Sequence, residues 1–252
     1  MSDNERRGMG WRPELPDQRD IKFGFRAVTI PDKLDLRTNV CMPPIVDQGQ
    51  LGSCTANAAT ACYEFEAQKQ GEPPSARSRL FIYYNERAIE GTIQWDAGAY
   101  IRDAFKTMNK EGAPPETLWP YTISKFARRP TQKSYQSGLA RQALLYQTVP
   151  QDATAIMAAV ALNQLVEIGF TVYSSFFDIG PDGMMKMPAL SEQVQGGHAV
   201  CVVGFDQTAR VWIIRNSWGT GWGDHGYFYM PFEYLLTPSL STDFWLCSLV
   251  EK

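Results

Sequence analysis

The helical patterns in this chain come first and the strand patterns last, and that order restricts the architectures open to it. An alanine-rich run, SCTANAATACYEFEAQKQ, begins at Ser53 and stops at Gly71. Ser53 can cap it, and no proline or glycine interrupts it. Eighteen helical residues would span about 27 Å, enough for the central helix of a domain. SRLFIYYNERAIE repeats apolar side chains at helical spacing through Leu80, Phe81, Tyr84 and Ala88. GAYIRDAFKTMNKEG does the same through Tyr100, Ile101, Ala104 and Met108. Residues 120–138, with Pro120 and Pro130, read as a crossing loop. A fourth helix is predicted over DATAIMAAVALNQLVEIG, residues 152–169, with Asp152 as cap and a buried stripe of Ala153, Ile156, Met157 and Val160. Strand patterns then take over. FTVYSSF, HAVCVVGFD, RVWIIRN, GYFYM and DFWLCSLV are short runs rich in β-branched and aromatic residues, separated by turns. The chain is therefore expected to be α+β, with two unlike lobes and a site at their interface.

Composition narrows the function classes. The 252 residues suit one large domain or two small ones. The net charge is -3 and no basic run occurs, so neither nucleic acid nor an anionic membrane is an expected partner. No apolar stretch approaches the roughly 20 residues of a membrane span. The opening MSDNERRGMGWRPELPDQRD lacks the apolar core of a secretory signal. The expectation is a soluble, cytoplasmic monomer. The five cysteines, Cys41, Cys54, Cys62, Cys201 and Cys247, form no CxxC pair, and the chain has two histidines. That spacing gives no zinc signature, and a fully reduced set is expected.

Four residues invite a chemical reading. Cys54 falls in the first turn of the long helix, where free N–H groups and the helix dipole favour a thiolate and should lower its pKa. The alternative is a small buried apolar residue. The base must come from His198, in GGHAVCVVGFD, or His225, in GDHGYFYM. His225 sits between turn residues and reads as a surface histidine, whereas His198 begins a strand after two glycines. Asn216 ends the strand VWIIR and begins NSWGTGWGDHG. It is a turn residue or the group that orients an imidazole, with Trp218 placed to keep water from that hydrogen bond.

Taken together, DQGQLGSCTANA, GGHAV and IRNSWGTGWGDHGYF, in that order, resemble the papain-like cysteine peptidases. His198 lies 144 residues after Cys54, within the family's spacing of roughly 130–150, and Asn216 lies slightly beyond it, as loop insertions would explain. IPDKLDLR, from Ile30, is similar to the family's mature start, so the likeness runs from there to the C-terminus. It implies a papain-like two-lobe fold, with a mainly helical lobe at 30–130 carrying the nucleophile. An antiparallel, β-barrel-like lobe at 131–252 would carry histidine and asparagine, with the cleft between the two.

The resemblance assigns Cys54 as nucleophile, His198 as general base and acid, Asn216 as the orienting group and Gln48 to the oxyanion hole. It places Gly98, in WDAGAY, and Gly197 and Trp218 where a polypeptide substrate binds, and it requires no metal or organic cofactor. Tyr173 and Met185 are candidate pocket walls. The implied activity is that of a cysteine endopeptidase. The rival readings are a transglutaminase-like acyl transferase and a catalytically silent binding module.

Three departures from the family stand out. Leu51 replaces a usual disulfide cysteine, and Thr55 replaces the usual aromatic residue after the nucleophile. Residues 1–29 are too short for the usual helical prosegment, and GWRPELPDQRD and SRLFIYYNERAIEG are similar to a bacterial branch of the family. This extended arm carries Trp11, Phe23 and Phe25. It either lies in or near the cleft as an inhibitory, zymogen-like segment or packs on the surface as a strap.

Overall fold

The computed structural model describes residues 7–24 and 27–251; Phe25 lies outside them. Helices α1 (Cys54–Lys69), α2 (Arg79–Glu90) and α3 (Ile101–Lys110) come first. Helix α4 (Gln132–Gly138), strand β2 (Ala143–Thr148) and helix α5 (Ala153–Ala161) follow. The remainder is strands β3 (Val166–Tyr173), β4 (Val194–Asp206), β5 (Val211–Arg215) and β6 (Tyr227–Pro231), helix α6 (Phe232–Leu236) and strand β7 (Ser241–Val250). A short β1 (Lys33–Asp35) precedes them all.

Helix α1 is buried along almost its whole length. It packs on α2 and α3 on one side and on β4 and β7 on the other. Its alanines let both layers approach closely, which an ordinary amphipathic helix could not allow. The Ser53 hydroxyl makes no capping bond; it pairs with the Tyr121 hydroxyl at 2.6 Å instead. Helix α2 starts as capping chemistry dictates, with Ser78 accepting from the Phe81 N–H, and stops at Gly91 in the left-handed region.

The sheet is antiparallel, in the order β2-β7-β3-β4-β5-β6, with β1 added to the far end of β4. Its two ends, β2 and β6, are not paired with each other, so this lobe is an open, curved sheet rather than a closed barrel. Two sequence expectations need correction. The helix predicted to Gly169 ends at Ala161; Asn163 takes φ 55° and Val166 opens β3. Central pairing explains it, because β3 is bonded to β4 on one side and β7 on the other, and its Val, Ile and Phe side chains are buried there. The expected crossing loop ends in α4, which Thr131 caps by accepting from the Ser134 N–H.

Two β-bridges are among the bonds that tie the arm to the body. Trp11 pairs with Ala99 beside α3, and Lys22 with Thr148 on the outer edge of β2. Between them Arg102 of α3 holds Glu14 at 2.8 Å and Asp20 at 2.7 Å.

Candidate active site

Cys54 opens α1 and is fully buried. The main-chain N–H groups of Ala199 of β4, Gly10 of the arm and Thr55 act on its thiol and favour the thiolate. The helix-start argument predicts a lowered pKa, and the structure corrects it. Burial pushes the thiol up to about 11, outweighing the three donors.

The strand register sets His198 opposite Phe170, one residue before Ala199, whose N–H acts on the Cys54 thiol. Its Nε2 lies 2.8 Å from Asn216 Oδ1. That oxygen also accepts the Ser217 N–H at 2.8 Å, which identifies it as the carbonyl end of the amide. A carbonyl only accepts, so His198 carries its proton on Nε2 and leaves Nδ1 as a free acceptor. Nδ1 is buried and has no hydrogen-bond partner among the described residues. Burial holds the ring's pKa down to about 4, against the opposing bond from Asn216. The Trp218 indole lies over the imidazole, with centroids 4.8 Å apart, and Phe177 stacks on that indole in turn. His225, by contrast, occupies an exposed turn at φ 53°.

Gln48 is also fully buried. Its Oε1 accepts the Ser217 hydroxyl at 2.6 Å, and its Nε2 donates to the carbonyls of Leu51 at 2.9 Å and Gly8 at 3.0 Å. Ser217 was not singled out in the sequence, yet it fixes both Gln48 and Asn216. The motif NSW places it between two assigned residues, which is the only local signal for it.

Main-chain bonds hold Gly8, Gly10, Trp11 and Arg12 in this groove. The Gly8 N–H donates to Gly49, Trp11 to the Gly197 carbonyl at 3.1 Å, and Arg12 to the Ala99 carbonyl at 3.2 Å. The Ala99 N–H in turn donates to the Gly10 carbonyl at 2.7 Å. Gly98 therefore stands next to the pairing group rather than being it. It still must be glycine, because at φ 68° an added Cβ would sit 1.9 Å from the Gly10 oxygen. At Gly197 a Cβ would meet the Trp11 carbonyl oxygen at 2.3 Å. Tyr173 is half-buried at the end of β3, and Met185 is part of the core.

Two supports escaped the sequence reading. Asp96 accepts the Gly52 N–H with both oxygens, at 3.0 and 3.1 Å, and also takes the Tyr83 hydroxyl, so it anchors the loop before Cys54. Thr55 donates to buried Glu86 at 3.1 Å, tying the start of α1 to α2. The cysteines Cys41, Cys54, Cys62, Cys201 and Cys247 are all unpaired.

Comparison with known proteins identifies the family. The profile of the papain family cysteine proteases matches residues 30–234. A peptidase C1-like protein of Acanthamoeba polyphaga mimivirus is 38% identical over 95% of this chain and 86% of its own length. A cathepsin B-like protein of Giardia intestinalis is 31% identical over 80% of this chain and 69% of its own. The crystal structure of xylellain, a cysteine protease from Xylella fastidiosa, superimposes with a TM-score of 0.90 at 35% identity, covering 97% of each chain. The chain belongs to the papain family of cysteine proteases.

Proposed function

We propose that the chain hydrolyses peptide bonds through a Cys54–His198–Asn216 triad, with Gln48 and the Cys54 main-chain N–H holding the oxyanion. The observation that carries this reading is a set of hydrogen bonds joined through Ser217. It runs from Gln48 through the Ser217 hydroxyl to the Ser217 N–H, Asn216 Oδ1 and His198 Nε2. Two groups that must act on one carbonyl from different elements are thereby set against a common strand end.

In the proposed reaction His198 Nδ1 takes the thiol proton and the Cys54 sulfur attacks the scissile carbonyl. The negative charge that develops on oxygen meets the Gln48 amide, a contribution of about 3 kcal/mol for each such donor. His198 then protonates the leaving amine, and water releases the acyl group with His198 as base. Replacing Cys54 by Ala should abolish hydrolysis of an unfolded protein while leaving the melting transition in place. Full turnover in that variant would overturn the assignment.

The same reading makes the arm an intramolecular inhibitor. The Gly8 carbonyl occupies the Gln48 amide, and the Gly10 N–H acts on the Cys54 thiol, favouring its charged form. Both groups are thus engaged before a substrate arrives. Withdrawing the arm would let water in, and the burial that raises the thiol pKa and lowers the imidazole pKa would relax. The glycines offer a test in the full chain. A Cβ at Gly10 would lie 1.8 Å from the Gly52 carbonyl oxygen, so Gly10→Val cannot keep the arm seated. That variant should hydrolyse peptides and react with iodoacetamide at Cys54 at least tenfold faster than the parent. Equal rates in a folded variant would rule out restraint by the arm.

A further inference from the structure

The arm lays the Trp11 side chain against the two strands beside the site. The ring is 6% exposed and lies across two neighbouring strands, each with a glycine beneath it. A Cβ at Gly169 of β3 would sit 2.0 Å from Trp11 Cε2 and 2.2 Å from Nε1. At Gly197 of β4 it would sit 2.7 Å from Cε3. Glycine inside a central strand weakens it and marks a close approach, and here both approaches serve the same ring.

The indole N–H ends on Asp243, donating to Oδ2 at 2.9 Å. Asp243 has φ 61°, uncommon for a residue other than glycine, and lies where the β3–β7 register slips between Glu167 and Gly169. Such an irregularity re-aims a side chain. Oδ2 also takes the Glu14 N–H at 3.1 Å, while Oδ1 has the neighbouring Thr242 hydroxyl at 3.2 Å. Both donors to Oδ2 therefore belong to the arm and leave with it.

We propose that Asp243 is the specificity-determining residue of a side-chain pocket, filled here by Trp11, that selects substrate residues with a large planar side chain ending in an N–H donor, tryptophan above all. This rests on the peptidase reading of the cleft. Phenylalanine or leucine would fill part of the glycine-walled space and leave Oδ2 without a donor, which is the costly arrangement for a half-buried carboxylate. A site built around a hydrogen bond rejects the analogue that lacks it far more sharply than a site built on shape alone. Arginine could reach the carboxylate as well. However, Arg102 acts electrostatically on Asp243 and would lose Glu14 and Asp20, both on the arm, so a second cation enters against an unpaired one.

Two measurements on the full chain test this. In Gly10→Val protein, a peptide library is read with tryptophan, 3-benzothienylalanine (its shape without the N–H), phenylalanine, leucine and arginine at each position before the cleaved bond. At one position tryptophan should exceed each of the others by about tenfold or more in kcat/KM. Adding Asp243→Gly, which tolerates the positive φ, should erase the margin over benzothienylalanine. In Trp11→Ala protein, free indole should bind at least about tenfold more tightly than benzothiophene, and Asp243→Asn should reduce that ratio. Equal affinities, or a tryptophan margin that survives loss of the carboxylate, would overturn the pocket assignment alone. A Gly10→Val chain that labels at Cys54 but hydrolyses no peptide would overturn the peptidase reading and this inference with it.

Discussion

The Gln48 side-chain amide donates to the main-chain carbonyl of Gly8 at 3.0 Å, so the donor assigned to a substrate's oxyanion is already taken by the chain's own arm. One substitution should therefore act in two directions. In the arm-expelled Gly10→Val background, Gln48→Ala should lower kcat by about 10²–10³-fold, the usual cost of losing one oxyanion donor. In the parent chain the same change removes a contact that holds the arm, so Cys54 alkylation should become faster. Stopped-time labelling with iodoacetamide and peptide kinetics read the two effects separately.

Asn216 holds His198 in the tautomer with its proton on Nε2 and shares its oxygen with the Ser217 N–H. Asn216→Ala should leave the ring free to turn beneath Trp218. The expected loss in kcat is roughly tenfold to hundredfold, the scale of a small misplacement of a reacting group, with KM changed much less. A larger rise in KM than fall in kcat would show that Asn216 shapes the binding surface instead.

Thr55 Oγ1 is the one hydrogen-bond partner recorded for Glu86 among the described residues, and Glu86 Oε1 has none. Burial pushes the Glu86 carboxyl up to about 8, so it is held mostly protonated at neutral pH. Thr55→Val keeps the shape and removes the donor. It should destabilise the fold by about 1–3 kcal/mol, measured by urea denaturation at pH 7.

Glu14 fastens the arm and is pushed up to about 7, mainly by burial and then by the charge of Asp243, against the pull of Arg102. Its folded pKa stands above its unfolded value of 4.5, so the protonated form is favoured in the folded chain. The stability that follows is fully present below pH 4.5 and is lost as pH rises through 7. Glu14→Gln has no such titration. Its melting temperature should match the parent near pH 4.5 and exceed it by a few degrees at pH 8. A difference that stays flat, or grows toward acid pH, would contradict this account of the latch.

Much was legible in the chain before folding was considered. The start of α1 at Cys54, the cap at Asp152 and most of the strands are local matters of spacing and side-chain type, and they appear where expected. The pattern carries helix α5 eight residues too far, to Gly169, because Val166 and Ile168 suit a buried helix or a buried strand equally well. Only pairing with β4 and β7 decides between them. Strand β2 was not seen at all, since it is the edge partner of β7 and carries no strong alternation of its own.

For the site, the resemblance carried by three motifs assigns Cys54, His198, Asn216 and Gln48, because residue identity is what those motifs encode. It could not say that Ser217 joins Gln48 to Asn216, that Ala99 rather than Gly98 pairs with the arm, or that Trp11 ends on Asp243. Nor could it foresee a thiol raised to about 11 where the helix start argues for a lowered value. These facts depend on main-chain groups and on burial between segments as much as 232 residues apart. Every residue offers the same N–H and C=O, so only the packed arrangement determines which of them meet and how far water is kept away.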